Sequence, residues 1–156
     1  AAPAGKLRIT TSTSFAAAYL ADVVTDFLSQ YPQTQVELIA TERTVNLVEE
    51  RIDLAVRIGN VLDDSLVARK LGACRSVVCA SPAYIKASGY PSAPDDLRNH
   101  RCITHAYVGR TEFRLQRNGQ TLQIPVRGPL QSNEAAVTRR AALACPGGSG
   151  ARAGWT

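Results

Sequence analysis

Between residues 7 and 59 the hydrophobic period changes four times, and that succession restricts the fold more than any other feature of the chain. Leu7 and Ile9 alternate with polar neighbours, which predicts a strand ending near Thr11. Phe15, Tyr19 and Val23 then recur every four residues, joined by Leu20, Val24, Phe27 and Leu28, so a helix is expected from about residue 15 to 30, stopped by Pro32. "VELIA" at 36–40 reads as a second strand. Thr44 can cap a second helix carrying Val45, Leu47, Val48 and Ile52, and "DLAVRIG" at 53–59 reads as a third strand. The connections are too long for hairpins, so this β-α-β-α-β series of about 55 residues calls for a parallel sheet with right-handed crossovers. The fold class is α/β.

After Gly59 the pattern restarts. "LVARKL" and "SVVCA" are extended segments separated by Gly72, and Ser81 followed by Pro82 is a cap and first helical residue for "AYIKAS", which stops at Gly89. "YPSAPDDLRNH" is a proline-broken connection. "EFRLQRNGQTLQIPVRG" reads as two strands around Asn118-Gly119, a dipeptide suited to a tight primed turn. Ser132 or Asn133 then caps a helix running to about Ala144. The expected organisation is a first lobe at 5–73, a second lobe at 74–144, and an atypical tail at 145–156, "CPGGSGARAGWT", with no periodicity and no strand pattern.

Composition narrows the function. At 156 residues, 45% hydrophobic and 20% charged, the chain is an ordinary globular protein of one domain or two small lobes. A net charge of +5 would suit nucleic acid, but the lysines and arginines never form a run longer than two, and no helix-turn-helix, zinc-finger or RNA-binding pattern accompanies them. Cys74, Cys79, Cys102 and Cys145 stand at wide spacings with no C-x-x-C pair, so neither a metal site nor a disulfide framework is signalled. No apolar run is long enough to span a bilayer and the amino terminus lacks a secretory leader pattern, so a cytoplasmic protein with no membrane partner is expected. No G-x-S-x-G, H-E-x-x-H or Walker motif is present, and the expectation is a protein that is not an enzyme and needs no cofactor.

The densest polar feature is "TTSTS" at residues 10–14, where the first strand meets the first helix. Helix-start amides lack partners and carry partial positive charge, and ligands of open α/β sheets settle beyond the carboxyl ends of the strands. Ser12, Thr13 or Ser14 could add donors toward a carboxylate or phosphate; equally, one of them could be only a cap. The second strand ends in the polar "ATERT" and the third in "RIG", where Gly59 permits a close backbone approach. "ITHAY" at 103–107 and "QSNE" at 131–134 are the corresponding corners of the second half.

"GKLRIT", "FLSQYP", "VELIATERTVNLVEERIDLAVRIG", "DDSLVARKLGACRSVVCASPAYI" and "PDDLRNHRCI" together resemble the effector-binding domain of LysR-type transcriptional regulators from about residue 5 to 144. The resemblance implies a two-lobed fold like that of type 2 periplasmic binding proteins. A small-molecule inducer, an organic or aromatic acid by class, would lie between the lobes. It further implies DNA binding through an amino-terminal winged helix-turn-helix absent from this sequence, a homodimer formed through the first helix and second strand of paired effector domains, and higher oligomers of a full-length regulator. Carried over by position, the inducer contacts would be Ser12, Thr13, Ser14 and Phe15, then Thr41 and Glu42, then Arg57, Ile58 and Gly59, with His105, Ser132 and Asn133 in the second lobe. Arg57 could instead form a salt bridge, Glu42 could be a solvated turn residue, and His105 an ordinary strand residue. The tail departs from the family pattern, which makes the second lobe incomplete and suggests a truncated or frame-altered end. A solute receptor of a transport system would share the architecture and is the alternative reading.

Overall fold

The computed structural model describes residues 2–59, 65–107, 110–144 and the backbone of 152–155. Two compact units divide the chain, Ala1–Leu71 and Gly72–Thr156.

The first unit is built on a parallel sheet. β1 (Gly5–Thr11) pairs in parallel with β2 (Thr34–Ala40) on one side and β3 (Leu54–Val56) on the other, in the order β2-β1-β3. Thr11 is opposite Ala40 and Val56, so the three carboxyl ends finish level. β1 is the centre of the sheet and carries its most buried residues, Ile9, Thr10 and Thr11. Helical backbone follows at once as α1 (Thr13–Phe15), a π-helical turn (Ala16–Leu20) and α2 (Ala21–Gln30). Ser12 caps it with extended backbone, its hydroxyl accepting from the Phe15 N–H at 3.3 Å. Of the apolar stripe, Leu20, Val24, Phe27 and Leu28 are half-buried, while Tyr19 and Val23 are each 59% exposed.

The second helix expected from Thr44 does not form. Residues 47–51 make one turn only: Asn46 Oδ1 accepts from the N–H groups of Val48 and Glu49, and Ile52 N–H closes back on Leu47 O at 2.8 Å. Arg51, with φ of 51°, ends the turn in the left-handed region. Val45 and Ile52 are buried all the same, so the apolar spacing that suggested a helix serves two anchor points flanking a turn. "LVARKL" likewise is not a strand over its described residues.

The second unit mixes short sheets with helices. β4 (Ser76–Cys79) leads to α3 (Pro82–Ser88), capped by Ser81 with its Oγ accepting from Tyr84 N–H at 3.2 Å and ended at Gly89 with φ of 82°. The proline-broken connection contains a 3-10 helix, Pro94–Asn99, whose Asp96 carboxylate accepts from the N–H groups of Ser92 and Ala93. β5 (Arg101–His105) pairs in parallel with β8 (Arg127–Ser132). β6 (Glu112–Arg117) and β7 (Gln120–Pro125) form the antiparallel hairpin, with Asn118 at φ of 50° and Gly119 at 76° as a primed turn requires. α4 (Ala135–Ala144) packs through Ala135, Thr138 and Ala142. β9 (Arg152–Trp155) pairs antiparallel with β4, so part of the tail is a strand although its sequence carries no strand pattern; backbone pairing with an existing edge replaces apolar alternation as its cause. The core gathers Leu97, Cys102, Phe113, Ile124 and Val126.

Candidate functional site

The hydroxyl run divides in two. Thr10 and Thr11 are fully buried strand residues, not members of an open corner. Thr10 Oγ1 donates to Ile39 O at 3.1 Å, tying β1 to β2, while Thr11 Oγ1 is buried without a hydrogen-bond partner. Ser12, Thr13, Ser14 and Phe15 are half-buried, so the opening starts at the cap. Ser12 is occupied by capping. The Ser14 hydroxyl has no hydrogen-bond partner among the described residues, and Phe15 lies with its ring 5.4 Å from that of Tyr19.

Two residues from the other strand ends close on this corner. Glu42, two positions beyond β2, accepts at Oε1 from Thr13 N–H at 2.9 Å and from Thr13 Oγ1 at 2.6 Å. The donors at the helix start are thus met by the chain's own carboxylate, a charge-assisted pair rather than a solvated turn. Arg57, one residue beyond β3, donates from Nη1 to Thr41 O at 2.7 Å and from Nη2 to Thr10 Oγ1 at 2.9 Å. These bonds, with Thr41 N–H to Thr11 O at 2.8 Å, bind all three strand ends together. No carboxylate among the described residues forms a salt bridge with Arg57. Partial burial holds its guanidinium below the usual value, and the nearby charge of Glu42 pushes in the opposite direction. Ile58 and Gly59 are exposed, and a β-carbon on Gly59 would meet no atom within 4 Å.

In the second unit His105 and Ser132 are register partners at the carboxyl ends of β5 and β8, and Ala106 N–H donates to Ser132 O at 2.9 Å. His105 is half-buried, its Nδ1 accepting from Tyr107 N–H at 3.3 Å. Ser132 Oγ accepts from Glu134 N–H at 3.1 Å, and Asn133 is exposed. The opposite, amino ends of the same strands border a separate cavity of about 410 Å³ lined by Asn99, His100, Arg101, Arg127, Gly128 and Pro129. Among the described residues no cluster of His, Cys, Asp and Glu could hold a metal ion, and no helix is long and apolar enough to cross a membrane.

The model of the LysR substrate binding domain matches residues 1–147. The chain belongs to the LysR substrate-binding domain family.

Members of this LysR family similar to the chain include an HTH-type transcriptional regulator of Xanthomonas campestris pv. campestris (strain 8004), 33% identical over 146 residues, covering 90% of this chain and 42% of that protein. The HTH-type transcriptional activator AaeR of Escherichia coli (strain K12) is 34% identical over 113 residues, covering 72% of this chain and 37% of that protein. The chain therefore spans less than half the length of these curated relatives. Among solved structures, the regulatory domain of CrgA, a LysR-type transcriptional regulator from Neisseria meningitidis, matches with a TM-score of 0.73 at 27% identity, over 90% of this chain and 69% of that one. The full-length Vibrio cholerae virulence activator AphB matches with a TM-score of 0.77 at 25% identity, over 90% of this chain and 48% of that one. The fold is the two-lobed α/β arrangement of LysR effector-binding domains, and the chain is such a domain. That its relatives are transcriptional regulators favours this reading over a transport receptor.

Two participants in the LysR corner escape a reading of sequence alone. Thr10 belonged to the hydroxyl run, but nothing in its neighbours showed that its oxygen would serve Arg57. The Glu42 to Thr13 pair joins residues 29 apart, and only the level finish of β1 and β2 puts them together.

Proposed function

We propose that the domain senses a small organic or aromatic acid at the corner formed by Ser12, Thr13, Ser14 and Phe15, with Thr41, Glu42, Arg57, Ile58 and Gly59 on the adjoining strand ends. His105, Ser132 and Asn133 are the proposed contacts of the second unit. The observation that carries the reading is a surplus of donors: Ser14 is half-buried and its hydroxyl has no hydrogen-bond partner among the described residues, and Arg57 keeps N–H groups beyond the two it spends on Thr41 and Thr10. Unspent donors at the carboxyl ends of parallel strands suit an anion.

Binding would favour one of two arrangements of the domain and so alter a helix-turn-helix segment outside this sequence, the segment that would contact DNA. Regulators of this family form oligomers, and a homodimer through the first helix and second strand is the proposed pairing here, with higher oligomers for a full-length regulator. Such a role places the protein in the cytoplasm and involves neither metal nor cofactor.

Ser14→Ala tests the corner. Titration calorimetry with benzoate as a simple aromatic acid should show affinity reduced about tenfold, the value of one hydrogen bond to a charged group, with thermal unfolding unchanged. Equal affinity of the two proteins for benzoate would remove Ser14 from the site.

A further inference from the structure

One carboxylate of the corner stands in an unexpected place. An effector acid bound at the helix start would need the Thr13 amide and hydroxyl, yet Glu42 Oε1 already accepts from both, at 2.9 and 2.6 Å. Two carboxylates cannot share those donors, because like charges at contact distance repel strongly where water is partly excluded. Either the effector avoids Thr13, or Glu42 leaves.

The surroundings favour departure of the side chain alone. Thr41, the residue before Glu42, is held at both backbone groups: its N–H donates to Thr11 O at 2.8 Å and its carbonyl accepts from Arg57 Nη1 at 2.7 Å. The strand end is thereby held at Thr41, and rotation about the Glu42 side-chain bonds moves the charge without disturbing it. A destination exists nearby. Arg57 donates to two neutral oxygens, has no salt bridge with any described carboxylate, and retains unused N–H groups. The electrostatic coupling of Glu42 with Arg57 is already present in this state.

We propose that Glu42 is an internal occupant of the effector's anion seat, and that an acidic effector takes the Thr13 donors by displacing the Glu42 carboxylate onto Arg57. The inference rests on the reading that an organic acid binds at residues 12–15. It makes Glu42 a specificity-determining residue. An acid strong enough as an acceptor to replace it is admitted, whereas a neutral analogue leaves Glu42 where it is. It also makes the exchange directional, since the new Glu42 to Arg57 pair forms only when the seat is filled from outside.

The experiment is a titration of the ¹⁵N-labelled chain with benzoate, and in parallel with neutral benzamide, following the Thr13 amide and the Arg57 Nε–H by NMR. Glu42→Gln and Glu42→Ala are compared with the parent; glutamine keeps an acceptor for Thr13, so the pair separates loss of charge from loss of local structure. The expected result is benzoate affinity raised about tenfold in both variants, as when a competing charge-assisted hydrogen bond is removed, with benzamide unaffected. Arg57 should respond to benzoate more strongly in the parent than in either variant, where only its direct contact with the acid remains. Unchanged or weaker benzoate binding in the variants, with Thr13 still responding, overturns the role of Glu42 and leaves the acid site standing. An Arg57 response of equal size in the parent and the variants overturns the exchange onto Arg57. Absence of a Thr13 response to benzoate in all three proteins refutes the acid site itself, and this inference with it.

Discussion

Gly128 lies so close to β5 that a β-carbon there would sit 1.6 Å from the carbonyl oxygen of Cys102. The approach coincides with a register irregularity: Arg101 is opposite Arg127, but Ile103 is opposite Leu130, so β8 spends one more residue than β5 over this stretch. The extra residue is a bulge, and the glycine lets its backbone press against the neighbouring strand. Because the obstacle is backbone, rotating a side chain cannot make room. Gly128→Ala should therefore cost about 3 kcal/mol or more, the upper range for overpacking, seen as a lower urea midpoint for the second unit. A midpoint within error of the parent would show that the strands separate without cost.

Adjacent threonines make opposite predictions. Thr10 and Thr11 are both fully buried, yet Thr10 donates to Ile39 O and accepts from Arg57, whereas the Thr11 hydroxyl has no partner. Valine keeps the shape and removes the oxygen. Thr11→Val should stabilise the first unit by about 1 kcal/mol, since it relieves an unsatisfied buried group, while Thr10→Val should destabilise it by about 1–3 kcal/mol by stranding the Ile39 carbonyl and an Arg57 donor. Thermal unfolding followed by circular dichroism reads both signs. Two shifts of the same sign would contradict the hydrogen-bond assignment.

Much of the fold was legible because it is written in local signals. The four-residue spacing of Phe15, Tyr19 and Val23, the Ser81-Pro82 start, and the Asn118-Gly119 turn each specify backbone within a few residues. The failures share a different cause. Val45 and Ile52 have helical spacing but are buried by contacts made elsewhere in the unit, and Asn46 captures the amides that a helix would have used. β8 and β9 exist through pairing with β5 and β4, and an edge strand chosen by its partner leaves little periodicity of its own. At the candidate site, the residue types were readable and their partners were not. That Glu42 meets Thr13 and that Arg57 meets Thr10 depends on where parallel strands of different length come to an end.

Cys102 has no exposed surface, and burial pushes its thiol up to about 11. Only the thiolate is nucleophilic, so Cys102 should resist iodoacetamide at pH 8 while the exposed Cys74 and Cys79 are alkylated. Peptide mass spectrometry before and after addition of denaturant would reveal this order. The same shift has a stability consequence. A group whose folded value is raised binds its proton longer in the folded state, so its contribution is complete below its unfolded value near 9 and is lost as pH climbs to about 11. Cys102→Ser or Cys102→Ala should flatten that alkaline decline; an unchanged decline would assign it to other groups.

Tyr19 and Val23 occupy successive turns of one helical face and remain 59% exposed, although both belong to the apolar stripe that the sequence directs inward. Beside them in the order of the sheet, β2 is an outer strand with no fully buried residue. An apolar helix face together with an open strand edge invites a second copy, which is the proposed dimer surface of this effector domain. Placing a charge on each position should prevent pairing at little cost to the fold, because neither side chain contributes to the buried core. Sedimentation velocity at about 100 μM, a concentration at which an association of micromolar strength is complete, should give a dimer for the parent and a monomer for the Tyr19→Lys, Val23→Lys double variant. A parent that sediments as a monomer, or a double variant that still pairs, would move the dimer contact away from this face.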